Sequence, residues 1–219
     1  MDAGILPVKR LDLAKQRLGA HFSDEARLQI ARALLEDALR LCRASAGFLQ
    51  WWVVSDDPDV LDRAASYGVA GIKDESEKLN SAVAYATRVV EMEGATSVTI
   101  IPSDAPLAYE GDLRDLLDTG ATSDLVLVPS ERDGGTNAIY MRPPTLLDPH
   151  FGPQSLNAHM SLAGRIGLRC SMLVLPRLAL DIDTLEDVDD FLKRDTLGTS
   201  ATVRVLKTLR GMSDEGESA

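Results

Sequence analysis

The chain is short of several things that would settle its class at once. It has only two cysteines, Cys42 and Cys170, in 219 residues. Their placement fits neither zinc-ligand nor redox spacing, so both are expected to be reduced and buried in a cytoplasmic protein. No apolar run approaches the length of a membrane span. The N-terminus lacks a basic stretch followed by an apolar one, so no secretory leader is expected. Positive charge is scarce as well: 23 Lys and Arg stand against 34 Asp and Glu, a formal net charge of −11. That balance argues against a nucleic-acid partner or an anionic membrane surface. It does not exclude a phosphorylated small molecule, provided that a few cations and a metal are focused in one cleft. There is no internal repeat.

What is present is enough apolar residue, 45% of the chain, for one sizeable core. One domain is expected over residues 1–210, followed by an acidic tail, 211–219, that is expected to be disordered. Short apolar runs at 3–8, 49–55, 69–72, 97–101, 124–129, 138–142 and 170–175 read as strands. Between them lie helical segments. Ser23 caps the first, in which Leu28, Ala31, Leu35, Ala38 and Cys42 recur at helical spacing. Asp57-Pro58 opens the second. Others are expected at 80–93, 111–118, 155–167, 185–193 and 200–209, the last packing on the sheet or on a second subunit. Trp51 and Trp52 are neighbours on a strand and point to opposite faces, so at least one belongs to the core.

The alternation of strands and helices predicts an α/β protein: a three-layer αβα, Rossmann-like sheet, mostly parallel. The Gly134-Gly135 segment and the strand after it predict an antiparallel edge. In such sheets ligands bind beyond the carboxyl ends of the strands. Two stretches fall there. Lys9, Arg10, Lys15 and Arg17 follow the first strand and form a candidate anion site; the plain alternative is a solvated basic loop. Asp104 follows the apolar run Ser97 to Ile101, between Pro102 and Pro106. It can hold a metal ion on a phosphate, or be a simple turn residue.

Further along, Asp181 and Asp183 lie two residues apart, which suits a divalent cation if the segment is extended. Thr184 and Asp187 have capping-box spacing. Ser155 falls at a helix start, where its hydroxyl can cap the helix or help to hold an anion. The loop with Asp74, Glu75 and Glu77 offers carboxylates that could accept from guanine's pairing edge. His159, one turn into the helix, carries no assigned role.

Taken together, Pro7-Val8-Lys9, Ala14-Lys15-Gln16-Arg17-Leu18, Leu79-Asn80, Pro102-Ser103-Asp104-Ala105-Pro106-Leu107, Gly134-Gly135-Thr136-Asn137-Ala138, Phe151-Gly152-Pro153-Gln154-Ser155 with His159, and Leu180-Asp181-Ile182-Asp183-Thr184 resemble the 2-phospho-L-lactate guanylyltransferase family. The resemblance runs in order over about residues 5–192. It implies a nucleotide-diphospho-sugar-transferase fold. It also implies transfer of GMP from GTP to a three-carbon phospho-acid (2-phospho-L-lactate, phosphoenolpyruvate or 3-phosphoglycerate) in making the deazaflavin coenzyme F-420. On that pattern Lys15 and Arg17 act on the GTP phosphates, with Lys9 and Asn80 also at the nucleotide. Asp104, Asp181 and Asp183 hold Mg²⁺. Thr136, Gly152 and Ser155 bind the acid. Two positions depart from the pattern: Lys78 replaces a common Gly before Leu79-Asn80, and Gln16 replaces a common Thr or Ser. A homodimer is a further expectation. The alternatives are a nucleotidyltransferase with another acceptor, such as a molybdopterin cofactor or a sugar phosphate, and a non-catalytic nucleotide-binding subunit.

Overall fold

A computed structural model describes residues 1–76 and 78–212. Glu77 and residues 213–219 of the acidic tail lie outside the described residues. The strands are β1 (Asp2–Pro7), β2 (Gln50–Ser55), β3 (Ala70–Lys73), β4 (Ser97–Ile100), β5 (Leu125–Pro129), β6 (Thr136–Met141) and β7 (Cys170–Met172). They form one sheet in the order β3-β2-β1-β4-β6-β5-β7. All pairings are parallel except those of β6, which runs antiparallel to both β4 and β5. The antiparallel strand is the one expected, that which follows Gly134-Gly135. It sits inside the sheet rather than on the outermost strand, because β7 adds parallel to β5.

The helices are α1 (Asp24–Ala44), α2 (Pro58–Ser66), α3 (Leu79–Met92), α4 (Glu110–Gly120), α5 (Ser155–Ile166), α6 (Leu185–Arg194) and α7 (Ala201–Leu209). Both faces of the sheet are covered, as a parallel sheet requires. On one face Leu35, Leu39 and Cys42 of α1, Val60 of α2 and Leu113 of α4 pack on Leu6, Val53 and Val126. On the other, Val83 and Val90 of α3 and Ala163 of α5 pack on Ile5, Trp52 and Ile100. The tryptophan pair straddles the sheet, and both rings are buried, one in each layer. Trp51 lies over Gly4 of β1, where an added Cβ would come within 2.4 Å of the ring. Its indole Nε1–H donates to Ser45 Oγ at 2.8 Å.

A third cluster joins Ile30 and Leu34 of α1 to Val188 and Phe191 of α6 and Val203 and Leu206 of α7. The α7 helix therefore rests on α1 rather than on the sheet. The Asp37 carboxylate, midway along α1, accepts from the Ala201 and Thr202 amides at 2.7 and 2.8 Å and caps α7. This is also why α1 buries more than the single stripe that its spacing predicts.

One expectation about cysteine is corrected. Cys42 is buried, but Cys170 is exposed. It sits on the outermost strand, where Cys170 and Met172 turn to the open side while Ser171 turns in toward Ser123. Among the described residues no helix is long and apolar enough to cross a membrane.

Candidate active site

The sheet places the site by its strand order. The chain leaves β1 toward β2 and leaves β4 toward β5, on opposite sides of the pair, so a crevice opens beyond their neighbouring carboxyl ends. Because β6 runs the opposite way, its first residue, Thr136, arrives at the same end. The result is a cleft of about 480 Å³, within the range of small-molecule sites. Its walls come from the loops after β1 and β4, the start of β6, the segment before α5 and the segment before α6.

The loop after β1 is two short 3-10 turns, Leu11–Leu13 and Gln16–Ala20, with Lys15 between them. Lys15 has φ 57° and ψ 37°, the left-handed region that side chains disfavour by roughly 1–3 kcal/mol. This bend folds the lysine inward. Its side chain is only 7% exposed, and Nζ donates to Asp104 at 2.6 Å and to Asp183 at 3.1 Å. Burial opposes the ammonium, yet the two carboxylates prevail and its pKa is raised. Arg17 is exposed and reaches Asp183 at 3.6 Å. Lys9 is exposed at the rim and lines the cleft.

Asp104, Asp181 and Asp183 present oxygens that all lie within 4.8 Å of one another. The backbone ties these segments together: Ile182 N donates to Asp104 O at 3.1 Å. Asn137 reinforces the tie, donating through Nδ2 to Leu178 O, Ala179 O and Asp181 Oδ1. Asp187 holds Asp183 from behind, accepting from the Asp183 and Thr184 amides, and is itself paired to Arg132 at 2.6 Å. The Thr184–Asp187 capping box is formed as predicted. Burial, then the charge of Asp104, pushes the Asp181 carboxyl up to about 6, against a smaller opposing effect of the Asn137 hydrogen bond. Three close oxygen donors that repel one another suit a hard divalent cation, and Lys15 now neutralises part of that charge.

The opposite wall is built from the β5–β6 hairpin and the segment before α5. Gly134, at φ 68°, lies so close to Gln154 that an added Cβ would meet the Gln154 amide nitrogen at 2.9 Å. Gly152, at φ 140°, lines the cleft in a conformation that glycine alone adopts readily. Thr136 lines the cleft too, and its amide donates to Ser155 Oγ at 2.9 Å. His159, on α5, reaches Thr136 Oγ1 through Nδ1 at 3.0 Å.

Eight of the ten expected site residues (Lys9, Lys15, Arg17, Asp104, Thr136, Gly152, Asp181 and Asp183) therefore line one cleft. The other two side chains are engaged by the protein itself. Ser155 is the first residue of α5, buried, with its hydroxyl on Thr136. Asn80 grips the Phe151 main chain, accepting from its amide at 2.8 Å and donating to its carbonyl at 3.3 Å. It shapes the wall beside Gly152. Asp74 is bonded to Ser76, and neither Asp74 nor Glu75 lines the cleft; Glu77 lies outside the described residues.

A family model described as guanylyl transferase CofC-like matches residues 2–210. The chain belongs to this family. The phosphoenolpyruvate guanylyltransferase of Chloroflexus aggregans is 34% identical over 185 residues, 83% of this chain and 92% of that protein. The 2-phospho-L-lactate guanylyltransferase of Methanobrevibacter smithii is 31% identical over 209 residues, 94% of this chain and 90% of that protein. A structure from Desulfovibrio desulfuricans G20, named as a nucleotide-diphospho-sugar transferase, superimposes with a TM-score of 0.79 at 17% identity, covering 96% of this chain and 97% of the other. That likeness speaks for the fold.

In this CofC-like chain two residues that the sequence left without a role, Asn137 and His159, lie at the site. Asn137 belongs to the Gly134–Ala138 motif, but its partner was not legible: its reach to Asp181 depends on where the chain returns 44 residues later. His159 did carry a signal: it follows Ser155 by four positions and so shares its helix face.

His159 also makes the site's pH behaviour testable. Burial, then the nearby His150, pushes its pKa down to about 4. In the unfolded chain it protonates near pH 6.5. Between those values only the unfolded state takes up the proton, so stability is expected to fall as pH drops from about 6.5 to 4, by up to about 3 kcal/mol from this group. Urea unfolding of wild type and His159→Asn at pH 7 and pH 5 checks this; the wild type should lose more.

Proposed function

We propose that this chain is a guanylyltransferase: it moves GMP from GTP to the phosphate of a three-carbon phospho-acid and releases pyrophosphate, in making coenzyme F-420. The observation that carries the reading is the convergence of Lys15 with Asp104, Asp181 and Asp183 beyond β1 and β4, in a family whose relatives bear guanylyltransferase names. The catalytic unit is residues 1–210, working in the cytoplasm. A homodimer remains part of the proposal, with its contact elsewhere than the α7 face already laid on α1.

The acceptor is already an anion, so no strong base is required. One of its phosphate oxygens bonds to the α-phosphorus of GTP, the bond from that phosphorus to the bridging oxygen breaks, and pyrophosphate leaves with the electron pair. The chain's work is alignment and charge. Asp104, Asp181 and Asp183 would hold Mg²⁺, which when bound offsets the repulsion between the two anions. Lys15 and Arg17 face the departing pyrophosphate, with Lys9 at the rim of the nucleotide site. Asn80 serves the nucleotide side by fixing Phe151 beside Leu79 of the cleft wall. Thr136 and Gly152 receive the acid, and Ser155 supports Thr136.

The test is pyrophosphate release with GTP and Mg²⁺ against phosphoenolpyruvate, 2-phospho-L-lactate and 3-phosphoglycerate in turn. ATP is the control, and a downstream trap consumes the labile product. Release with GTP and one of the three is expected. Silence with all three, from folded protein that binds GTP, overturns the reading in favour of another acceptor or a non-catalytic subunit.

A further inference from the structure

The hydrogen bonds around Thr136 have a direction. The His150 amide can only donate, and it points at His159 Nε2 at 3.0 Å. That nitrogen must therefore be the acceptor, which leaves the imidazole proton on Nδ1. Nδ1 lies 3.0 Å from Thr136 Oγ1 and so donates to it. Ser155 makes two hydrogen bonds to the same residue. Its oxygen accepts from the Thr136 amide at 2.9 Å, and its hydroxyl donates to Thr136 Oγ1 at 3.3 Å. The Thr136 oxygen thus receives two donors and has no lone pair left for a third. Among the described residues no acceptor takes its own proton, although the residue is only 5% exposed.

We propose that His159 is a positioning residue: with Ser155 it fixes the Thr136 hydroxyl as a one-way donor into the cleft, so that this point of the site takes an anionic oxygen of the acceptor. The inference rests on the functional reading above for the identity of that acceptor, and on geometry alone for the direction of the hydrogen bonds. A cationic His159 would set an Nε2–H against the His150 N–H. The buried, neutral ring, edge-on to Phe151 at 6.4 Å between centroids, holds the direction constant. A threonine that could turn its hydroxyl either way would serve a hydroxyl or amide group of a ligand as well as a carboxylate or phosphate. One held in this way favours acceptors over donors.

Two measurements test this. Long-range proton–nitrogen spectra of protein labelled at its three histidines, with His159→Asn to assign the signal, should show His159 neutral with the proton on Nδ1 at pH 7. A proton on Nε2, or a cationic ring at that pH, overturns the proposal, and no substrate is needed to see it. Kinetics give the second arm. An asparagine amide can take the place of Nδ1 and still donate to Thr136, whereas a glutamine amide reaches the place of Nε2 and serves only His150. His159→Gln should raise the KM of the acceptor about 3- to 10-fold, the value of one neutral hydrogen bond, with the KM of GTP within about twofold. His159→Asn should restore most of the loss, and His159→Gln should add nothing in a Thr136→Val background. Equal damage from both substitutions to acceptor and GTP alike, or additivity with Thr136→Val, overturns it. A wild type silent with every acceptor would sink the functional reading, while the tautomer would still decide the hydrogen-bond assignment.

Discussion

Asp104→Asn is expected to lower pyrophosphate release by roughly two or more orders of magnitude while leaving the fold in place. The two halves of that expectation come from different atoms. The Asp104 side chain bonds Lys15, whereas its carbonyl accepts from Ile182 N and carries the structural tie. Asparagine keeps the carbonyl, the shape of the side chain and an oxygen for Lys15. It removes one negative charge from the cluster of three carboxylates that, in the proposed mechanism, holds a cation against two anionic substrates. Steady-state turnover with Mg²⁺ as sole metal, beside a thermal melt, checks both halves. Near-normal turnover would remove Asp104 from the mechanism.

Lys15→Met should change two properties in opposite directions. Turnover should fall by about two orders of magnitude, because in the proposed mechanism the buried ammonium is a preorganised charge facing the departing pyrophosphate. Binding of Mn²⁺ to the free protein should tighten. Lys15 Nζ lies 2.6 Å from Asp104 and 3.1 Å from Asp183, so it competes with any cation for those oxygens. Methionine has similar length and no charge. Without the ammonium the carboxylates repel one another, and the metal-free protein should lose about 1–2 kcal/mol. That is less than the 3–5 typical of a broken, fully buried pair, because Asp104 and Asp183 remain 27% and 40% exposed. Titration of free Mn²⁺ by electron paramagnetic resonance measures the affinity, and added Mn²⁺ should restore the melting temperature. Unchanged affinity would show that the lysine does not occupy the cation's place.

These two residues also mark how far the sequence could be read. Asp104 was legible because a buried strand ending at Pro102 leaves few places for the next carboxylate to go. Lys15 was legible as one of four cations after the first strand, but its particular place was not. Only the left-handed bend at Lys15 separates it from Lys9 and Arg17, which stay exposed. Ser155 and Asn80 show the reverse. The resemblance implies ligand contact for both, and in this structure Thr136 and the Phe151 backbone, both distant in the chain, take up their polar atoms.

Local chemistry determined the element order, the caps at Ser23, Asp57, Thr184 and Ser200, and the core faces of most helices. Each depends on residues within a turn or two of one another, so spacing alone reports it. The tertiary structure decided what depends on chain segments that meet from afar. It put β6 between β4 and β5 and left β7, with Cys170, on the open edge. It laid α7 on α1 through Asp37. It gave the Thr136 hydroxyl its direction through a histidine on α5 and an amide at residue 150. A hydrogen bond is specified by two groups at about 3 Å, and when the second lies tens of residues away nothing in the neighbourhood of the first reveals it.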